Sequence, residues 1–221
     1  MLVLLGACGG EDKSAPIEPD TPATNLVDNG GLETGREPWY TIVEGNGFAV
    51  SDTRYLSGTH SAIESMRDPV GVAGSGPTNS KVYYLVQEIS PDEFPEVVRG
   101  NYFVENWIKG TRWQYLQFVI IVFPVEQPNY QIRYPLAGID SEPFPIGNAK
   151  FQIVSEEEPL QGEWVPFEVN VKEDFEELWG AVPEGFEKLR LLFEVRWDFS
   201  QEATGLRSAD VFWDDLYAGQ D

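Results

Sequence analysis

The amino-acid sequence predicts an all-β fold, a sandwich of two antiparallel sheets. From Asn25 onward, apolar residues recur in short runs rich in Val, Ile, Phe, Tyr and Trp, and clusters of Gly, Pro, Asn and Asp separate them. In Trp164–Val171 and Lys188–Trp197 every second residue is apolar, which is typical of a sheet packed on one face. The 221 residues are 42% hydrophobic and 13% aromatic, enough to bury one substantial core. We therefore expect a single folded domain.

The strand pattern repeats along the whole domain, and turn residues bound each run. The candidate strands are Gly47–Asp52, His60–Ser65, Val82–Ile89, Asn101–Lys109, Tyr115–Phe123, Gln131–Tyr134, Ala149–Val154, Trp164–Val171, Lys188–Trp197 and Ala209–Ala218. Tyr115–Phe123 is almost continuously apolar, which predicts a central strand covered on both faces. The only plausible helix is Lys172–Leu178, and a polar loop is the alternative there because Pro183 and Gly185 follow closely.

Charge and composition exclude several classes of function. Lys and Arg total 15 against 37 Asp and Glu, a net charge of −22, so nucleic acid and anionic lipid headgroups are not expected partners. With one Cys and one His, the chain cannot form an internal disulfide, and a zinc site is nearly excluded. His60 lies in a Ser-Gly-Thr-His-Ser turn, where we expect it to pack. Acidic runs such as Glu156-Glu157-Glu158 are usually solvated. We therefore expect no enzymatic activity.

The N-terminal residues predict a lipid anchor followed by a tether. Leu5-Gly6-Ala7-Cys8 resembles the lipobox of bacterial lipoproteins, in which the Cys is acylated and becomes the new N-terminus. A basic n-region is missing, and the apolar stretch is shorter than a signal core. Residues 1–8 are therefore expected to be the remnant of a lipoprotein signal. Residues 9–24 are rich in Gly, Pro, Asp and Glu, which predicts a flexible linker before a domain that spans residues 25–221.

Three segments resemble the carbohydrate-binding modules of the family 4, 9 and 22 type, which are jelly-roll sandwiches of the galactose-binding-like group. The first is Asn25–Gly35, followed by Pro38-Trp39, the second is Tyr55–Ala62 and the third is Val211–Tyr217. Their order and spacing cover the chain from Asn25 to Asp221. One departure is the proline-rich and acidic region Phe123–Pro159, which suggests an insertion or unusual loops.

The resemblance implies a structural calcium ion that joins the first and last strands. Its side-chain ligands would be Glu33 of the opening motif and Asp214 of the closing motif. Calcium binds six to eight hard oxygens, and backbone carbonyls of Gly-rich turns would complete the shell. The alternative is that Asp214 and Asp215 are solvated residues on an edge strand.

Aromatic residues on the strands predict a glycan-binding cleft, because such sandwiches stack sugar rings on Trp and Tyr while polar groups bind the hydroxyls. If Tyr102, Val104 and Ile108 face the core, then Trp107 points to the concave sheet. The candidate ligand-binding residues are Trp107, Trp113, Tyr115, Gln117 and Arg196. The alternative is that these aromatic residues fill the core or pair across strands.

Together these features predict a non-catalytic glycan-binding lipoprotein of the bacterial cell envelope. It would reside at the outer membrane or cell surface, touch the membrane only through Cys8, and bind a polysaccharide. The alternative is a structural or interaction subunit that uses the same sandwich, without sugar binding, in a protein assembly. Exposure of Trp107, Trp113 and Tyr115 in an open groove would favour the first hypothesis, and covered side chains would favour the second.

Overall fold

A computed structural model describes residues 24–68, 80–110, 113–125, 128–141, 143, 145–198 and 207–221. Cys8 and nearly all of the predicted linker lie outside these ranges. The described residues form β1 (Ala49–Ser51), β2 (Ser61–Asp68), β3 (Lys81–Ile89), β4 (Val97–Ile108), β5 (Gln114–Pro124), β6 (Tyr130–Ala137), β7 (Ala149–Phe151), β8 (Trp164–Val169), α1 (Val171–Trp179), β9 (Phe186–Trp197) and β10 (Arg207–Gly219). The predicted β-sandwich is confirmed.

Two five-stranded sheets make up the sandwich. Sheet A has the strand order β3-β9-β5-β6-β7, and sheet B has the order β1-β2-β10-β4-β8. Neighbouring strands are antiparallel except β6 and β7, which are parallel. The predicted central strand is β5, which lies in the middle of sheet A and is buried from Gln114 to Val122.

The core lies between the inner faces of the two sheets and is rich in aromatic side chains. Phe193 of β9 and Trp213 of β10 meet there with ring centroids 5.4 Å apart, and Phe118 of β5 lies 5.2 Å from Phe193. All three side chains are fully buried. Burial of such large rings dominates the hydrophobic stabilisation of a sandwich.

The predicted helix forms and closes one end of the core. Its N-cap is Asn170, whose side chain accepts a hydrogen bond from the backbone N–H of Glu173 at 3.2 Å. Gly180 ends the helix in the left-handed conformation. The buried residue Phe175 packs against Phe94 at 5.4 Å. Within the described ranges, no helix has the length and hydrophobicity of a membrane span.

The opening segment is bound along β10, so the first and last motifs of the resemblance meet in space. The side chain of Asn25 donates to the carbonyl of Leu216 at 3.0 Å and accepts from the N–H of Ala218 at 3.1 Å. Leu216 in turn donates its N–H to the carbonyl of Gly30 at 3.2 Å. A side chain at Gly30 would collide with that strand, because a Cβ there would lie 2.2 Å from the Leu216 carbonyl oxygen.

A β-bulge interrupts the pairing of β4 with β10. Ser208 faces Ile108 and Asp210 faces Glu105, so three steps along β4 match two steps along β10. Asn106 lies in the bulge with φ of 56°, a conformation that Asn tolerates better than most residues. After the bulge, the alternation of inner and outer side chains along β4 is reversed.

Candidate functional site

Three of the predicted ligand residues come together on the outer face of sheet A, which we call the A-face. Tyr115 of β5 lies opposite Arg196 of β9, and Gln117 lies opposite Glu194. The residues between them, among them Leu116 and Val195, belong to the core. Alternation therefore turns these polar side chains away from the core.

The polar residues of the A-face form one buried network around two carboxylates. Glu194 accepts hydrogen bonds from the Gln117 amide and from Arg196, the latter at 3.4 Å. Asp198 accepts from Arg196 at 2.7 Å and from the Tyr115 hydroxyl at 3.1 Å. Gln117 is 0% exposed and Arg196 is 9% exposed. Burying charges at this depth is costly unless they are paired, as they are here.

Tyr115 was predicted to bind sugar, and the structure does not support a stacking role. Only 2% of its surface is exposed. Its ring lies beneath the guanidinium of Arg196, 5.7 Å from the ring centroid. Burial also raises the pKa of its hydroxyl, which remains a hydrogen-bond donor to Asp198. Tyr115 is therefore part of the support of the A-face, not a sugar platform.

Trp107 was predicted to point toward the concave sheet, and this prediction is wrong. The bulge at Asn106 reverses the alternation, so Trp107 is 8% exposed and packs in the core while Ile108 is 50% exposed. The indole Nε1 donates to Glu158 at 2.7 Å. A buried indole cannot offer its face to a sugar ring.

Trp113 keeps its place as a candidate. It is half-buried and immediately precedes β5, and its backbone carbonyl accepts a hydrogen bond from the N–H of Asp198 at 3.1 Å. Trp113 therefore lies beside the polar network of the A-face.

Three further aromatic residues on the A-face were missed. Tyr40, Tyr84 and Phe123 are half-buried and pack over an apolar floor. That floor consists of Val86, Val119, Ile121 and Leu192. Tyr84 and Phe123 alternate with core residues along their strands, so the sequence pattern could have predicted that they lie on the outer face. Tyr40 carried no such signal, because it lies outside the strands and is placed on this face by a backbone bridge to Val86 and by side-chain hydrogen bonds with Glu88 and Arg190.

Charged side chains line the A-face next to these rings. Glu88 of β3 accepts hydrogen bonds from Lys188 at 2.8 Å and from Arg190 at 2.9 and 2.6 Å. Both cations lie over the Phe123 ring, 5.2 and 5.1 Å from its centroid. Burial raises the pKa of Tyr84 to about 12, so its hydroxyl stays protonated and can donate a hydrogen bond.

Arg133 of β6 differs from the other cations of this face. It lies opposite Val119, which places it above the apolar floor. Among the described residues, its guanidinium donates only to the neutral amide oxygen of Gln131, at 3.3 and 3.0 Å. Nη1 is buried and makes no hydrogen bond with the described residues. Burial lowers the pKa of Arg133, which is the expected response of a cation without a direct anionic partner.

Glu33 and Asp214, the predicted calcium ligands, approach each other around Gly31. A Cβ at Gly31 would lie 3.2 Å from Asp214 Oδ1 and 4.0 Å from Glu33 Oε1. Both carboxylates also hold the turn that precedes β2: Glu33 accepts from the N–H groups of Thr59 and His60 at 2.8 Å, and Asp214 from the N–H of Leu56 at 2.7 Å. The opening and closing motifs are thus linked through this turn.

The donor set suits calcium only in part. Hydrogen bonds from Thr59 and His60 lower the pKa of Glu33 to about 2, so this carboxylate is charged at neutral pH. Asp214 is fully buried, and burial raises its pKa. Among the described residues no group of three His, Cys, Asp or Glu could hold a metal. Backbone carbonyls would therefore have to supply most of the oxygens.

His60, the only histidine in the chain, is bound within the same turn. Its Nδ1 lies 2.9 Å from the Thr59 hydroxyl and 3.5 Å from Glu33 Oε2. Both neighbours contact the same ring nitrogen, whereas a catalytic triad needs the nucleophile and the acid on opposite nitrogens. The geometry fits the predicted packing role of this imidazole.

No protein-family model and no curated protein matches the chain. Solved structures that resemble it include the family 61 carbohydrate-binding module TmCBM61 in complex with β-1,4-galactotriose, at 13% identity and a TM-score of 0.49, over 90% of this chain and 99% of that one. The tandem family 22 modules of Paenibacillus barcinonensis Xyn10C are 15% identical with a TM-score of 0.49, and the match covers 94% of this chain and 52% of that one. A β-1,2-glucanase from Parabacteroides distasonis is 11% identical with a TM-score of 0.42, and the match covers 82% of this chain and 22% of that one. Carbohydrate-binding modules are thus among the sandwiches similar to this chain.

Proposed function

We propose that this protein is a non-catalytic glycan-binding protein and that its sugar site is the A-face. The observation that carries the proposal is the juxtaposition of three half-buried rings, Tyr40, Tyr84 and Phe123, with a polar network on the same sheet face. Pyranose rings have apolar faces that stack on aromatic side chains and hydroxyls that need hydrogen-bond partners. The A-face offers both.

The layered build of the A-face supports binding without large rearrangement. The apolar floor supports the rings from below, and Glu88 holds Lys188 and Arg190 beside Phe123. Side chains that are already fixed lose little rotamer entropy when a ligand binds. Such preorganisation suits a module that must recognise a repeating polymer.

The proposal is tested by a glycan array on the purified chain, followed by isothermal titration with the best ligand. We expect Tyr84→Ala to weaken binding about tenfold or more, because stacking with exclusion of water contributes about 1–3 kcal/mol. Tyr84→Phe should retain the stacking and most of the affinity. The matched control is Tyr55→Ala, since Tyr55 is 45% exposed and lies outside the A-face. Equal affinities for Tyr84→Ala and the unaltered chain would contradict the assignment of this face.

The state of the carboxylates supports the non-catalytic part of the proposal. Glu88, Glu194 and Asp198 each accept a hydrogen bond from a cationic side chain. Burial opposes ionisation of Glu88, yet the hydrogen bonds from Lys188 and Arg190 lower its pKa. A glycosidase needs one carboxyl that stays protonated to act as the acid. New reducing ends after prolonged incubation with a bound glycan would contradict this part.

We also propose that the protein is anchored in the bacterial envelope through a lipid on Cys8. The Leu-Gly-Ala-Cys motif and the linker-like composition of residues 9–24 support it. Mass spectrometry of the membrane-extracted protein should show an acylated Cys8, and Cys8→Ser should release the protein from membranes. An unmodified Cys8 in membrane fractions would contradict the proposal.

A calcium ion between Glu33 and Asp214 is proposed as a structural cofactor. The charged Glu33 carboxylate and the buried Asp214 carboxylate approach one point, and a cation there would offset their repulsion. The ion would stabilise the junction of the opening segment, the turn and β10.

The assembly alternative is favoured by a separate observation. A cleft of about 530 Å³ lies between β6 and β8, with Tyr102 and Phe167 in its lining and Leu160 57% exposed at its rim. Apolar clefts of this kind mark protein contacts as readily as ligand sites. If no glycan binds and Leu160→Asp abolishes a measured self-association, the assembly function is the better one.

A further inference from the structure

Among the described residues, three buried polar atoms of the A-face lack hydrogen-bond partners, and all three belong to side chains that interact with Glu194. They are Gln117 Oε1, Arg196 Nε and Arg133 Nη1. Gln117 and Arg196 bind the same oxygen of Glu194, and the charge of Glu194 acts on Arg133. A buried polar atom without a partner costs about 1–3 kcal/mol, so such atoms are rarely left unpaired without a reason.

The missing partners have a definite chemical character. Two of the three atoms are guanidinium N–H donors, which pair best with a carboxylate. The third is an amide oxygen, which needs a donor such as a hydroxyl. Arg133 is the most exposed of the three side chains, so a ligand meets its guanidinium first, and the partner that this cation lacks is a carboxylate.

The local charge points the same way. The whole chain carries −22, yet Arg133, Lys188, Arg190 and Arg196 of the A-face are four of its 15 cations. The carboxylates on the same face are Glu88, Glu194 and Asp198. Glu88 binds Lys188 and Arg190, and the other two bind Arg196, which leaves Arg133 with only the neutral Gln131. Among the described residues of this face, the cations therefore exceed the anions.

We propose that the glycan recognised by the A-face is acidic, and that the Arg133 guanidinium binds the carboxylate of a uronic acid residue. The inference rests on the proposed function and adds the class of ligand. Arg133 is half-buried, so it lies between the buried network and the solvent, where an incoming sugar meets it. Arg196 lies on the same face and is 9% exposed, so it supports the same anion through its charge.

The experiment compares acidic glycans with their neutral counterparts on the full chain. Oligosaccharides of polygalacturonate, alginate and glucuronan are each titrated beside the fully methyl-esterified form, which keeps the ring and removes the charge. We expect at least one acid to bind at least tenfold more tightly than its ester, and to lose affinity between 20 and 200 mM salt. Arg133→Gln should abolish the preference for the acid, with little change in melting temperature because no ion pair is broken. The matched control is Arg99→Gln, since Arg99 pairs with Glu168 on sheet B.

The outcomes separate this inference from the proposed function. If acids and esters bind equally well, or if a sulfated galactan binds more tightly than every uronate, the carboxylate inference is overturned while glycan binding stands. If Arg133→Gln keeps the preference for the acid, the assignment to Arg133 is overturned. If no acidic or neutral glycan binds, the proposed function fails and the inference fails with it.

Discussion

Replacement of Glu64 by Gln should make the protein more stable at neutral pH. Glu64 lies on β2 between Ala62 and Met66 of the core, and its side chain is 0% exposed. Its Oε2 accepts a hydrogen bond from the indole Nε1 of Trp213 at 3.2 Å. Burial raises the pKa of Glu64 well above the ordinary value of 4.5, so the folded protein keeps this carboxyl protonated.

The sign and size of the effect follow from proton linkage. The folded pKa is raised, so the contribution of Glu64 is fully present below pH 4.5 and is lost as the pH rises toward the folded pKa. In that range the unfolded chain gains stability by ionising, at up to about 1.4 kcal/mol per pH unit. For a domain of this size that loss corresponds to a melting temperature lower by about 3–5 °C per pH unit. A glutamine amide oxygen can still accept from Trp213, and the amide cannot ionise.

The assay is thermal unfolding of both proteins between pH 5 and pH 8. The difference between the two melting temperatures reports mainly on Glu64, because groups remote from it titrate alike in both chains and only nearby charges such as Glu194 are coupled to it. We expect this difference to widen steadily in favour of Glu64→Gln as the pH rises. An exposed glutamate, Glu163→Gln, is the control and should give a constant difference. Parallel curves for Glu64→Gln would refute the assignment of a protonated core carboxyl.

Other predictions concern the core indole and the turn before β2. Trp107→Ala should lower the free energy of unfolding by about 3–5 kcal/mol and leave the glycan affinity of the folded protein unchanged, as measured by denaturant titration and calorimetry. Added calcium at a hundred times its Kd should stabilise the chain by about 2.7 kcal/mol, and Glu33→Gln with Asp214→Asn should abolish this gain; a chelator without effect on melting would count against the ion. Because the folded pKa of Glu33 is about 2, its stabilisation is present above pH 4.5 and is lost as the pH falls, so Glu33→Gln should flatten the acid limb of the stability curve. Gly58→Ala should speed amide exchange in the turn, since a Cβ there would lie 2.2 Å from Glu33 Oε1 at φ of 62°; unchanged exchange rates would contradict this.

Local patterns were sufficient to predict the strands, whereas they left Lys172–Leu178 open between a helix and a polar loop. Lys188–Trp197 and Ala209–Ala218 became β9 and β10 with boundaries that moved by no more than two residues. The reason is that a side-chain period of two is imposed by each strand on its own residues, and it can be read without knowing the partner strand. Asn170 and Gly180 mark the ends of the helix locally, but nearby turn residues also allowed a loop.

The orientation of Trp107 was not predictable from the alternation of its strand. One extra residue in β4 reverses every later side chain, and the bulge is defined by the register against β10, which is about a hundred residues distant in the chain. The only local sign is Asn106, whose residue type tolerates a positive φ. Asn is far too common for that sign to place a bulge alone.

Exposure on the A-face was equally beyond a strand-by-strand reading. The prediction that Tyr115, Gln117 and Arg196 share a face is correct, because their parity along β5 and β9 is local. Their burial depends on what neighbouring strands contribute, such as Tyr84 from β3 and Arg133 from β6. The side chains that cover Tyr115, Gln117 and Arg196 therefore come from neighbouring strands. Which strands are neighbours depends on the order of strands in the sheet, and a single strand does not reveal that order.

The composition of the A-face supports the proposal that this layer serves recognition more than stability. Part of the A-face is the apolar floor, which shows that Val and Leu can fill the outer side of this sheet. The polar network beside it buries two carboxylates and a guanidinium, although replacement of such groups by apolar residues is often neutral or stabilising. A charged network that leaves Arg133 without an ion pair is a poor way to stabilise a fold, yet it presents fixed charges to a ligand at little cost in side-chain entropy. The same residues that weaken the case for a purely structural face are those that an acidic sugar would bind.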